Sequence, residues 1–439
     1  MSLETSANLQ VRARRGQQGR LLFAGVASQS IEYYDFFVYG TAASLVLNTQ
    51  FFPSADPVVG VLAAFATFAV GFAGRPIGAA VFGHIGDRFG RKPALLLAIL
   101  IMASSTMLIG FLPGYGTIGV AAPIILALLR ILQGISLGGQ WAGSTLLSIE
   151  HAPANRRGLF GSLPQVGVSV GMVAGTLVFL FMGQVTTNEQ FLAWGWRIPF
   201  LLTVVMFPVA YIVHRHIEDT PQFQEVEAKL NERMRAPRSS VLQVLRQPQQ
   251  VLLIAFAYLP PTIMFYVVST GLLQYAVSDL HLAKDLMLFV VMISMAAFAA
   301  GTIFFAWLSD KVGRRWLYAA GAAVTGVWGF VMFPLAETRS FALLTLAACV
   351  GMIAVGMMFG PGAALWAEMF PTGVRYSGIS LGTQLANVIG GGLAPFIMVA
   401  LLAATHTTVS VGAYVALGSV LSLLALAMLR APREVAKHA

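Results

Sequence analysis

Four charged residues, Glu32, Asp35, Arg75 and Arg130, stand inside long apolar stretches of this 439-residue chain. An ionised side chain near the centre of a bilayer costs about 2.5–3.5 kcal/mol on insertion scales. Such residues are therefore expected to face a wet cavity or one another. Glu32 and Asp35 are three apart and share one helix face. Dehydration disfavours the ionised form of a carboxylate, so either is a candidate to take up a coupling proton. Protonation would remove an intramembrane charge. The planar fork of Arg130 suits a substrate carboxylate; the alternative for Arg130, and for Arg75, is an ion pair with Glu32 or Asp35.

Uncharged polar residues extend this set. Arg130, Gln133, Leu137, Gln140 and Ser144 recur at helical spacing, a polar stripe expected of a helix lining a cavity. Tyr34 and Tyr39 can add polar rims to the pocket of Glu32 and Asp35, and Gln133 can orient a ligand. Gln165 and Ser169 share a face, as do Gln384 and Asn387. Tyr258, Pro260, Pro261, Thr262 and Tyr266 make their segment breakable and polar, which suits a gate. Tyr34, Gln165, Tyr266, Gln384 and Asn387 join Arg130 and Gln133 as candidate substrate contacts, although buried amides and hydroxyls also make ordinary interhelical hydrogen bonds.

The elements that must position these groups are membrane helices. The chain is 57% hydrophobic and 10% charged, with mean hydropathy +0.77, too little charge to cover a water-soluble surface. A helix needs about 20 apolar residues to cross the hydrocarbon, and uncharged runs such as Pro93–Leu129, Gly158–Asn188, Gln247–Ser278 and Tyr376–Leu429 supply them. Twelve spans fit, over roughly 21–48, 58–83, 93–113, 118–148, 158–184, 192–214, 250–277, 285–308, 316–335, 340–367, 376–403 and 408–430. Continuous rather than alternating apolarity argues against a β-barrel. The basic N-terminus followed by an apolar run resembles a signal peptide, but the run continues through Glu32 and Asp35, so it is expected to be a retained span.

The formal charge of +9 follows from topology. With both termini cytoplasmic, nearly all Lys and Arg outside the spans fall on the cytoplasmic side, with Arg197, Lys284 and Arg339 opposite. Nucleic acid is not needed to explain them; an anionic leaflet suffices. The expected division is a tail over 1–20, a six-helix half over 21–214, a linker over 215–249, a second half over 250–430 and a tail over 431–439.

The halves echo each other. Gly83-His84-Ile85-Gly86-Asp87-Arg88-Phe89-Gly90-Arg91-Lys92 follows span two, and Ser309-Asp310-Lys311-Val312-Gly313-Arg314-Arg315 follows span eight. Glu150-His151-Ala152-Pro153 with Arg157 is echoed at nearly the same offset by Glu368-Met369-Phe370-Pro371 with Arg375. Recurring basic loops explain the arginines but not the repeated Asp, Gly and Pro placements, so a duplicated six-span unit is expected.

These motifs resemble the major facilitator superfamily. Ile31 to Gly40, Gly74-Arg75-Pro76-Ile77-Gly78, Arg130-Ile131-Leu132-Gln133-Gly134 and Trp194 to Phe200 are similar to its metabolite:proton symporter branch. That branch includes carriers of α-ketoglutarate, citrate, shikimate, proline and betaine. The resemblance implies an all-α fold of twelve membrane helices in two pseudo-symmetric halves. It also implies gating by Asp87, Arg88, Arg91, Asp310 and Arg314, with Arg75 near the same end. Gln140 stands where family members often have Glu, and only nine residues follow Arg430, unlike the longer osmosensing members.

The expected function is proton-coupled import of a small carboxylate metabolite across the inner membrane by a functional monomer. A zwitterion carrier, an exporter or exchanger, and a non-transporting sensor are the alternatives; a channel lacks a repeated charged filter. An enzyme is not expected. No G-x-x-x-x-G-K-S/T phosphate loop or H-E-x-x-H zinc pattern occurs, and a single cysteine, Cys349, supplies neither a disulfide nor a cysteine metal cluster. No cofactor or metal is expected.

Overall fold

In lipid every backbone polar group must be satisfied within the segment that crosses it, so continuous apolar runs fold as helices. The computed structural model describes residues 26, 29–53, 57–89, 91–138, 156–205, 207–208, 248–369 and 375–429, and the described residues contain no strand. The helices are α1 (29–51), α2 (Pro57–Phe89), α3 (Arg91–Phe111), α4 (Ala121–Leu137), α5 (Arg157–Val185), α6 (Gly195–Val205), α7 (Pro248–Ser278), α8 (Lys284–Val312), α9 (Arg314–Glu337), α10 (Phe341–Ala367), α11 (Gly378–Thr405) and α12 (Val409–Met428). Eight of them are long and apolar enough to cross a membrane; Leu96–Phe111, Ala121–Leu137 and Gly195–Val205 are shorter apolar helices in the order of spans three, four and six.

Most boundaries fall where the apolar runs end, and the turn expected near Thr405 forms with His406 in the left-handed conformation, φ 54°. One expectation is corrected. The motif after span two is not a loop: α2 is helical through Phe89 and α3 begins at Arg91. Its counterpart is likewise largely helical, with α8 running to Val312 and the chain turning at Gly313, φ 97°, a conformation that costs glycine little. The linker 215–249 lies outside the described residues up to 247, and α7 starts at Pro248, inside the range assigned to that linker. The tails over 1–20 and 431–439, together with Gln140, Ser144 and Glu150 to Pro153, also lie outside them.

Two close helix crossings place the charged groups. At α2–α4, a Cβ on Gly74 would stand 2.7 Å from the Ile131 carbonyl oxygen, and one on Gly78 would overlap the Ile135 carbonyl. Backbones can approach this closely only where side chains are absent. The crossing brings Arg75 of α2 and Arg130 of α4 to the same region. At α1–α5, Gly171 faces the Ser30 carbonyl and the Tyr34 backbone nitrogen, fixing the helix that carries Glu32 and Asp35. Across the halves, α5 packs on α8 and α10, and α2 packs on α11. There Gly391 and Gly392 admit the ring of Phe72.

Candidate functional site

Four elements converge on the acidic face of α1. Asp35 is fully buried, and its Oδ1 accepts hydrogen bonds from the Thr106 hydroxyl of α3 and from Gln133 Nε2 of α4, the latter at 2.8 Å. Gln133 Nε2 also donates to Thr106 Oγ1 at 2.7 Å, while its Oε1 accepts from Arg130 Nη1 at 2.8 Å. Only one orientation of the Gln133 amide satisfies both the arginine and the carboxylate. Arg130 Nη1 lies 3.7 Å from Asp35 Oδ2, so the amide carries the hydrogen bonding between the two charges. The ring of Tyr39 covers the guanidinium at 3.9 Å, a cation–π contact.

Glu32, one helical turn earlier, pairs with Arg75 at 3.6 Å between Arg75 Nη2 and Glu32 Oε1, and both side chains are buried. The Arg75 guanidinium is held between Phe36 at 4.3 Å and Phe72 at 4.4 Å. Phe36 thus separates two acid–arginine pairs. Phe72 also meets Tyr266 of α7 edge-on with centroids 5.4 Å apart, which joins the site to the second half. A small recess beside it is lined by Tyr33, Phe36, Phe37, Met172, Phe265, Tyr266, Ser269 and Thr270.

The expected intramembrane charges are therefore brought together, and as two pairs. Other expected residues divide. Tyr266 lines the recess, whereas the Tyr34 hydroxyl donates to the Pro199 carbonyl at 2.7 Å and is engaged with α6. Gln165 is buried with its Oε1 unpartnered, and Ser169 donates to the Met295 carbonyl across the halves. Gln384 and Asn387 contact each other at 3.4 Å. Span seven is interrupted as expected, by a break at Tyr258 and a π-helical turn over Val267–Gly271.

Sequence reasoning passed over Thr106, Gln29, Phe36 and Tyr33. Gln29 stands three residues before Glu32, and this helical spacing was the available signal. Thr106 offered none, because threonine is common in apolar helices.

Among the residues expected to gate, Asp310 accepts from the backbone N–H groups of Gly158 and Leu159, at 3.0 and 3.2 Å, in the first turn of α5. The positive end of a helix favours that carboxylate. Arg314 Nη2 donates to Asp310 at 2.8 Å, and Arg314 Nη1 pairs with Glu368. The side chains of Asp87, Arg88 and Arg91 lie outside the described residues, although their backbone is helical. At the opposite end of the α5–α8 seam, Gln184 donates to Asp285 at 3.2 Å. Among the described residues no group of acidic, histidine or cysteine side chains could hold a metal ion.

Helices paired this way around buried charges define a membrane carrier. The profile of the Major Facilitator Superfamily matches residues 26–395 and again 254–439. The chain belongs to this superfamily and is a multi-span membrane transporter, not an enzyme. It is 39% identical over 393 residues to the shikimate transporter of Escherichia coli, covering 89% of this chain and 88% of that one. It is 31% identical to the proline/betaine transporter of Salmonella typhimurium, covering 86% of this chain and 76% of that one. The structure of the proton:xylose symporter XylE superposes with a TM-score of 0.75 at 17% identity, covering 95% of this chain and 97% of that one, and shares the fold.

Proposed function

We propose that the chain is a proton-coupled importer of a small organic anion, working as a monomer in the inner membrane with both termini cytoplasmic. The observation that carries this reading is the pair of buried acid–arginine couples on one face of α1, where the two halves meet. Buried charges are costly unless paired or functional, and two couples exceed what anchoring one helix requires. The arginines supply the complement to a carboxylate, and Glu32 and Asp35 supply proton acceptors. The shikimate transporter among the relatives agrees with a carboxylate substrate. Alternating access follows from rocking the two halves about this centre, with Asp310 on the first turn of α5 as a gate.

A second reading, a zwitterion carrier, is favoured by the charge balance of each couple, which offers both signs to one ligand, and by the proline/betaine relative. Uptake by the purified full chain in liposomes separates the two. The panel is shikimate, α-ketoglutarate, citrate, succinate, small monocarboxylates, proline and betaine, each with and without an inward proton gradient. Gradient-driven accumulation of an acid is expected. Uptake of proline or betaine alone moves the assignment to the zwitterion carrier, and exchange indifferent to the gradient removes proton coupling.

A further inference from the structure

The two acid–arginine couples differ in how completely they are satisfied. Around Asp35, Oδ1 is held by Thr106 and Gln133, and Gln133 in turn by Arg130, while Asp35 Oδ2 makes no hydrogen bond. Arg130 Nε and Nη2 have no hydrogen-bond partner, and Gly71 of α2 lies against that edge. A Cβ on Gly71 would lie only 3.0 Å from Nη2 and 3.1 Å from Nε, and Tyr39 covers the guanidinium face. Arg130 is already committed through Nη1 to Gln133, and through it to Asp35.

The Glu32 couple is bare. Arg75 Nε and Nη2 make no hydrogen bond, and neither does Glu32 Oε2. One turn earlier on the same face, Gln29 is 0% exposed with both amide atoms unpartnered. Buried polar groups are nearly always hydrogen-bonded, and these five atoms, on Arg75, on Glu32 and on Gln29 one turn before it, are available to bind a ligand. Their chemistry describes it. The Nε/Nη2 edge of an arginine matches a carboxylate in bidentate fashion. The amide of Gln29 adds a donor and an acceptor, which suit a carboxylate with a neighbouring hydroxyl or keto oxygen.

We propose that Arg75, Glu32 and Gln29 form the carboxylate subsite, and that substrate enters it by exchanging with Glu32. This rests on the organic-anion reading above. The incoming carboxylate takes the Nε/Nη2 edge of Arg75, and Glu32 gives up its ion pair. A buried carboxylate without a counter-charge is costly, so Glu32 binds a proton from solution. The charges balance. An anionic Glu32 with a cationic Arg75 becomes a neutral Glu32, a cationic Arg75 and an anionic ligand, and the subsite stays neutral throughout. One proton therefore enters with each carboxylate held. Arg130 then acts as a positioning residue that fixes Asp35 and Gln133, not as the anion ligand.

The test uses the purified full chain in liposomes with radiolabelled shikimate, α-ketoglutarate, succinate and citrate. Glu32→Gln is expected to keep exchange of the accumulated acid across the membrane while losing accumulation driven by a proton gradient. Gln29→Ala removes a hydrogen bond to a charged ligand and is expected to raise KM about tenfold with the maximal rate kept. Arg75→Lys keeps the charge but loses the fork, and is expected to raise KM by at least as much. Gln29 has no partner to lose, so its variant tests the subsite even if Arg75→Lys fails to fold. Native KM in Gln29→Ala, or gradient-driven accumulation in Glu32→Gln equal to the native chain, overturns the proposal. If the native chain accumulates none of the four acids nor a small monocarboxylate, the functional reading falls and this subsite with it. If it accumulates one and the variants match it, only the subsite falls.

Discussion

At the scale of single residues, the Asp35–Arg130 couple makes a stability prediction that is separate from transport. Removing one partner of a buried ion pair leaves an uncompensated charge and costs about 3–5 kcal/mol, whereas neutralising both can be nearly free. Asp35→Asn and Arg130→Gln should each lower the melting temperature of the detergent-purified protein, and the double variant should recover much of the loss. Additive losses would mean that the two charges are satisfied independently, against the 3.7 Å geometry and the shared Gln133. The participants were legible in the sequence only through their cost: Glu32, Asp35, Arg75 and Arg130 stand out because charge is rare in apolar runs. Which acid meets which arginine was not legible, because partners on α2 and α4 are chosen by helix crossing. Thr106 and Gln29, being neutral, carried no such penalty to betray them, yet one bonds Asp35 and the other stands unpartnered beside Glu32 on α1.

At the scale of helices, the prediction concerns the α2–α4 crossing that carries Arg75 and Arg130. A side chain at Gly78 would overlap the Ile135 carbonyl, and overpacking of a tight interface costs about 1–3 kcal/mol or more. Gly78→Val should therefore reduce the yield of monodisperse protein on size exclusion and lower its melting temperature. Gly116→Ala, where a Cβ meets nothing within 4 Å, should stay within about 0.5 kcal/mol of the native chain. Equal behaviour of the two variants would mean that the crossing tolerates separation. The crossing glycines were visible in the sequence as spacing alone; which of them face a partner backbone depends on helix rotation. Helix ends were more readable, since Gly313 and the Thr405 turn coincide with polar breaks. The span-two motif was misjudged as a loop because its glycines and charges look like turn chemistry, while α2 stays helical to Phe89. The same scale holds the proposed gate. Asp310→Asn weakens the charge on the α5 first turn and, with Cys349→Ala and Ser162→Cys, should speed labelling of that buried cysteine by a water-soluble maleimide in detergent. An unchanged rate would remove Asp310 from the set of contacts that hold this end shut.

At the scale of the whole molecule, the repeat read from Asp87 and Asp310 implies two similar halves, and if they rock about a shared centre as proposed, the structure shows which contacts must part. The α5–α8 seam is tied at both ends, by Asp310 to Gly158 and Leu159 and by Asp285 to Gln184, with Ser169 bonded to Met295 between them. A carrier that opens one side at a time has to break one tie while keeping the other. Locking either end should therefore stop the cycle, not merely slow it. A Cβ on Gly183 would stand 3.9 Å from Asp285 Cγ, close enough for a Gly183→Cys, Asp285→Cys pair to meet disulfide geometry with little movement. In a Cys349→Ala background, oxidation of this pair should abolish uptake into liposomes of whichever panel compound the native chain takes up. A reductant should restore it, and Gly183→Cys alone should be indifferent to redox. Uptake that persists in the fully oxidised pair would show that this seam never opens there. The halves would then have to part elsewhere, along α2 and α11, where Phe72 sits against Gly391 and Gly392. That outcome would put the moving contact beside Arg75 itself, and so tie the gate directly to the charge pair it guards.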